Sequence, residues 1–195
     1  MLLSTAYLPP VEYFQKINSI DTFFIERNEH FLKQTYRNRC HILGPNGIQA
    51  LSIPLGNTHT KTLITEKKIS YSENWQHQHW KSITSAYANS PYFIYYSDEL
   101  KMFYENKFDF LFEYNTEILK VLLKLLRIKT EIKFTENFVE ETTNDFRNNV
   151  SPKNKTNEIV FKSYTQVFSE KYPFVSNLSI IDLLFNKGPE AKEFL

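Results

Sequence analysis

A chain of 195 residues that is 42% hydrophobic and 16% aromatic can enclose one sizeable core, which excludes a disordered or low-complexity protein. Its 23 Lys and Arg against 22 Asp and Glu leave a formal charge of +1, so no global field recruits nucleic acid or an anionic membrane, and any anion site has to be local. The single cysteine, Cys40, allows no internal disulfide and completes no zinc or redox pattern, which fits a reducing compartment and makes the cytoplasm the expected location.

In chain order, Leu2–Leu8 is a short extended segment stopped by Pro9-Pro10, and Pro9 biases Leu8 toward β or polyproline geometry. The same prolines cut the apolar stretch, and no basic region precedes it, so it does not read as a signal peptide. Val11, Phe14 and Ile17 recur at helical spacing, and Thr22–Ile25 is rich in β-formers. Strand, short helix and strand in that order predict a parallel pair with a right-handed crossover. A polar, basic stretch holding Lys33, Arg37 and Arg39 leads into Ile42, a turn at Gly44-Pro45-Asn46-Gly47 and a hairpin return over Gln49–Pro54.

Leu63–Ser70 alternates weakly and reads as a further strand. Trp75, His79, Ile83 and Tyr87 lie four apart on one face of a helix ended by Ser90-Pro91. The clearest helix carries Phe108, Leu111, Phe112, Asn115, Ile118, Leu119, Leu122, Leu125 and Leu126 as a wide stripe, with Glu117, Lys120 and Lys124 outside it. Those lysines break the longest apolar run, far short of the roughly 20 residues a membrane span needs. Thr130–Thr135 reads as a strand, residues 140–158 as a polar surface loop, Tyr164–Phe168 as a strand, and Ser179-Ile180-Ile181-Asp182 as a capping box opening a helix that ends near Asn186 and Gly188. The expectation is one α/β domain over 1–195 with a mixed or parallel central sheet and flanking helices; an α+β arrangement is the alternative.

No phosphate loop, dinucleotide fingerprint, nucleophile elbow or paired-histidine zinc motif occurs, and four glycines are too few for a phosphate-cradling loop. The sequence leaves any cofactor unknown, and no metal site is implied: His77 and His79 are two apart on a helix and cannot share an ion. Four clusters remain. Tyr7-Leu8-Pro9-Pro10 with Tyr13-Phe14 stands at a strand-to-helix junction, where open sheets bind ligands, or is a proline-stiffened turn over an aromatic core. Arg37-Asn38-Arg39 is the best anion site if the segment is extended, since residues two apart share a side and the guanidinium fork suits phosphate or carboxylate; alternatively the arginines pair with Asp21, Glu26 or Glu29. His79 shares the buried face with Trp75, as a pocket base or as a satisfied core histidine. Tyr164-Thr165-Gln166 precedes the last helix, where capping accounts for Asp182. Cys40 and His41 point to opposite sides of a strand, so they make a poor nucleophile and base.

At these residues the chain resembles the WbqC-like family. The resemblance rests on Tyr7-Leu8-Pro9-Pro10, Tyr13-Phe14, Arg37-Asn38-Arg39, Leu51–Pro54, Trp75, Tyr87 and Pro91, and near the end on Gln166, Phe174, Leu178–Asp182, Phe185-Asn186 and Gly188. Glu12 stands where the family often has Gly, and the polar 140–158 stretch replaces a Tyr-Leu-Ser-Gly-like segment of longer members. Resemblance implies a setting in bacterial O-antigen or capsule synthesis, with aminoacyl or acyl transfer to a sugar as the reaction. On that reading Tyr7, Tyr13, Arg37, Asn38, Arg39 and Gln166 hold a sugar nucleotide or activated acyl donor, and His79 is the catalytic base. The alternative is a non-catalytic module that binds a nucleotide-linked sugar or a partner protein. No oligomeric state is legible.

Overall fold

The computed structural model describes residues 1–56, 62–154 and 159–195. Three parallel strands form its central sheet in the order β1 (Leu2–Leu3), β2 (Thr22–Ile25), β5 (Glu131–Phe134). Helix α1 (Val11–Ile17) makes the crossover from β1 to β2, burying Val11, Tyr13, Phe14 and Ile17. A separate antiparallel hairpin joins β3 (Arg39–Gly44) to β4 (Gly47–Ser52), with Gly44 opposite Gly47 across the Pro45-Asn46 turn. Gly47 has φ +100°, which only a residue without a Cβ adopts cheaply. Helices α2 (Trp75–Tyr87), α3 (Phe93–Glu105), α4 (Leu111–Leu125) and α5 (Ile180–Lys187) pack around this framework, and a 3₁₀ segment (Gly188–Phe194) follows α5. The parallel sheet with flanking helices makes this an α/β fold, as the βαβ order predicts.

Burial follows the predicted stripes. Trp75, His79, Ile83 and Tyr87 all face inward on α2, and Leu111, Asn115, Ile118, Leu119 and Leu122 do so on α4. Each fully buried large aliphatic side chain contributes about 1.5–3 kcal/mol, so the stripe rather than helix propensity holds α4 in place. Gly188 ends α5 at φ +51°, where any Cβ would collide with the Tyr92 ring.

Several expectations are corrected. The first strand stops at Leu3 because Tyr7 turns away to donate its N–H to the Tyr36 carbonyl. Leu8 adopts φ +41° rather than an extended geometry, held there by the bond from Ser179 Oγ to its carbonyl. Leu63–Ser70 is not a strand: Ile64–Glu66 forms a 3₁₀ turn, flanked by single bridges of Leu63 to His30 and Ile69 to Leu55. Tyr164–Phe168 pairs with no strand among the described residues, because Tyr164 and Gln166 turn toward α5 instead. Helix α3 has no counterpart in the sequence reading.

Of the polar 140–158 stretch, residues 155–158 lie outside the described residues, and the described part, 140–154, holds no helix or strand. Its residues 144–146 nonetheless line the free edge of β1: Leu2 N–H donates to Asn144 O and Phe146 N–H to Leu2 O, both at 2.9 Å. This brings Arg147 and Val150 into buried positions over the carboxyl end of the sheet.

Candidate functional site

The seven residues singled out from sequence fall in four places. Tyr7 and His79 meet in the core: the Tyr7 hydroxyl lies 2.9 Å from His79 Nδ1 and 2.9 Å from the Tyr104 hydroxyl. Burial lowers the His79 pKa to about 4, only partly offset by a bond to the Ser52 main chain, so the ring is neutral at physiological pH. Burial pushes the Tyr7 hydroxyl well above its ordinary value. These groups face each other and not a cleft.

Tyr13 and Arg37 lie at the carboxyl ends of the parallel strands, where α/β proteins place ligands. Arg37 is 3% exposed and its Nε and Nη2 are engaged: Nε donates to Glu29 Oε1 at 2.9 Å, and Nη2 to Glu29 Oε2 at 2.5 Å and Ser4 Oγ at 2.6 Å. Asn115 on α4 donates to the Arg37 carbonyl at 2.8 Å. A second pair lies alongside. Arg147 reaches Glu26 at 3.4 Å and Asp145 at 2.5 Å, while Glu26 also accepts from Thr135 Oγ1 at 2.6 Å and Val139 N–H at 2.9 Å. The space enclosed by Ser4, Thr5, Tyr13, Arg37 and Arg147 is about 10 Å³, too small for any substrate.

Asn38 and Arg39 line an open groove of about 360 Å³, within the range of small-molecule sites. Asn38 Nδ2 donates to Ile53 O at 2.9 Å, and the Ile53 N–H returns a bond to Asn38 O at 2.8 Å, locking the end of β4 to the start of β3. Arg39 bonds Ser52 Oγ through Nε at 3.0 Å and is half-buried. Lys33 and Lys67 share the groove, with Phe31, Ile53, Pro54 and Leu55 as its apolar walls. Among the described residues lining it none is acidic. The Lys67 pKa is lowered, first by burial and then by the charge on Lys33. A larger trough of about 920 Å³ on the sheet face is lined mainly by apolar side chains such as Phe24, Phe134 and Phe138, with no converging cations.

Gln166 is far along the chain, against α5. Its Nε2 donates to Asp182 Oδ2 and to Val175 O, each at 2.9 Å, and Tyr164 donates to the same carboxylate oxygen at 2.7 Å. Asp182 therefore anchors the 164–175 segment rather than capping α5, and burial raises its pKa. Ser179, the N-cap, spends its hydroxyl on Leu8. Cys40 is 1% exposed and burial pushes its thiol pKa up, the opposite of what activates a nucleophile.

Arg37 and Arg39 thus part company because Tyr36 and Arg37 sit in a turn and β3 begins only at Arg39. Lys67 carried no signal in the sequence: the turn after Ile64 brings it to the groove, over the Phe31 ring. The sequence offers Glu29 as a partner for the arginines, and it pairs with Arg37; Arg147 was hidden as a partner of Glu26, being 121 residues away.

The arrangement defines a small α/β protein with a cation-lined groove beside the start of a hairpin. Comparison with known proteins places it further. The model of the WbqC-like protein family matches residues 5–162 and 146–194, and the chain belongs to that family. It is similar to the Mycobacterium tuberculosis protein named Uncharacterized protein Rv1507c, at 26% identity over 227 aligned residues covering 100% of this chain and 96% of that one. No solved structure matches. No helix among the described residues is long and apolar enough to cross a membrane.

Proposed function

We propose that this chain works in bacterial surface-polysaccharide assembly by holding an anionic donor, a sugar nucleotide or an activated acyl group, in the groove of Lys33, Arg39 and Lys67. The observation that carries this reading is the convergence of three cationic side chains on one groove whose described lining includes no carboxylate. Such a field attracts a phosphorylated ligand, and Arg39 offers it donors in a planar fork. Phe31, Pro54 and Leu55 supply an apolar wall for a base or sugar face. Membership of the WbqC-like family supports the polysaccharide setting.

Within this reading the geometry favours the binding module over a transferase run by His79. That ring is 6% exposed, neutral, and absent from the groove lining, so it reaches no ligand there. Arg37 acts from behind, its bonds to Glu29 and Ser4 fixing the 36–39 turn, while Tyr13 donates to the Ser4 carbonyl. Calorimetric titration with a uridine diphosphate sugar, ATP and an acyl thioester tests the reading. One of the three is expected to bind with an affinity that falls as salt rises and that drops about tenfold or more in Arg39→Ala, the loss of one charged hydrogen bond. Binding unchanged in Arg39→Ala and Lys33→Ala, or no binding by any anion, overturns it.

A further inference from the structure

The two outer strands of the central sheet end differently. Residues 144–146 cover the free edge of β1, whereas β5 stands last in the order β1-β2-β5 with no described strand beyond it. Glu131 N–H donates to Asp21 O and Thr135 N–H to Ile25 O, so the odd-numbered residues of β5 turn their main chain toward β2. Ile132 and Phe134 therefore present N–H and C=O to the open side, and no described residue bonds to them there. A trough of about 920 Å³ runs past Ile132, Lys133 and Phe134, and in its lining Phe24 is 41% and Phe138 51% exposed. An uncovered edge of this kind takes up a further strand.

The charges on β5 select that strand. Glu131 and Lys133 lie two apart on the outer face, in register with Thr22 and Phe24 of β2. Two copies of β5 related by a two-fold axis run antiparallel, and directly opposed residues share a face, so one residue is paired with its own counterpart. If that residue is Glu131 or Lys133, like charges stand opposite each other. If it is Ile132, each Glu131 stands opposite Lys133 of the other copy. The outward-facing N–H and C=O groups of Ile132 then bond to those of its counterpart. The two Glu131–Lys133 pairs fall at positions without ladder bonds, where Cα atoms are only about 4.5 Å apart and side chains interact most closely. Main-chain polarity and side-chain charge thus select the same register. The ion pair within each chain, Lys133 Nζ to Glu131 Oε2 at 3.2 Å, becomes part of an alternating set of charges.

We infer that β5 is a docking edge for a second copy of this chain, joined antiparallel about Ile132 so that the two parallel sheets become one. The inference goes beyond the anion groove and does not depend on it, since the two share no lining residue.

Sedimentation equilibrium of the whole chain at increasing concentration is expected to show a monomer–dimer equilibrium. Glu131→Lys alone and Lys133→Glu alone each oppose like charges in this register, and each is expected to raise the dissociation constant about tenfold or more. The double variant, which exchanges the two charges, is expected to restore the dimer. So is an equimolar mixture of the two single variants, in which every charge meets its opposite across the axis. Both side chains are exposed, and a mixture that dimerises shows that each single variant is folded. A wild-type chain that stays monomeric up to its solubility limit leaves the edge to some other occupant and overturns the inference. A dimer indifferent to both reversals, or one that neither the double variant nor the mixture recovers, overturns it as well.

Discussion

Two arginines separated by one residue meet opposite fates in this protein. Arg37 turns into the sheet edge, where Glu29 and Ser4 accept from its Nε and Nη2, and Arg39 turns out to the groove, where it donates to Ser52. The inner side is a buried network of paired charges, Glu26, Glu29, Arg37 and Arg147, with Asp145 also bonded to Arg147; the outer side is a set of cations with no carboxylate among the described lining residues. Balanced charges in a low-dielectric interior hold a turn in place, whereas unbalanced charges around open space leave their field for a ligand. Residue type alone does not separate the two roles; the company of Glu29 does.

The largest expected effect comes from breaking the inner side. Arg37→Ala strands Glu29 in the interior and is expected to cost about 3–5 kcal/mol in urea unfolding, whereas replacing both, Arg37→Met with Glu29→Leu, recovers most of it. A loss below 1 kcal/mol in the single variant would show that the pair is not a buried structural bridge.

Acid sharpens the contrast next. His79, in the core behind Ser52, has its pKa lowered from 6.5 to about 4. The unfolded chain therefore binds a proton that the folded one refuses, so stability is complete above about pH 6.5 and falls as pH drops toward 4. The loss is on the order of 3 kcal/mol, and His79→Gln is expected to flatten that part of the stability–pH curve. His79 does not line the groove, so anion binding by the folded protein is expected not to weaken with this loss.

On the outer side, Arg39→Ala should leave unfolding free energy within about 0.5 kcal/mol while weakening anion binding about tenfold, the reverse of the pattern for Arg37. A destabilisation as large as that of Arg37→Ala would erase the distinction between the two positions. The smallest effect is the control: removing the exposed Lys120–Glu117 pair on α4, 2.7 Å apart, is expected to change stability by no more than about 0.5 kcal/mol.

The α1 crossover and α4 were legible because each repeats apolar residues at helical spacing, and the hairpin because Gly44 and Gly47 bracket Pro45-Asn46. Helix α3 was not, since Phe93-Ile94-Tyr95-Tyr96 is β-rich in composition and its inward stripe of Ser97, Leu100, Phe103 and Tyr104 is short. Tyr164–Phe168 erred the other way: alternation without a partner strand is only an extended segment, and Asp182 claims its side chains.

For the site, sequence alone determined which residues were unusual: an Arg-Asn-Arg run, a histidine on an apolar face, and a proline turn among aromatics. Local spacing and composition carry that much, because they act over one or two turns of chain. Which arginine faces water, that His79 bonds Tyr7, that Asp182 ties down Gln166, and that Lys33, Arg39 and Lys67 share one groove were decided by tertiary structure. Burial and electrostatic pairing are properties of neighbours in space, and Glu29 beside Arg37 or Phe31 beside Lys67 exists only once the chain has folded back on itself.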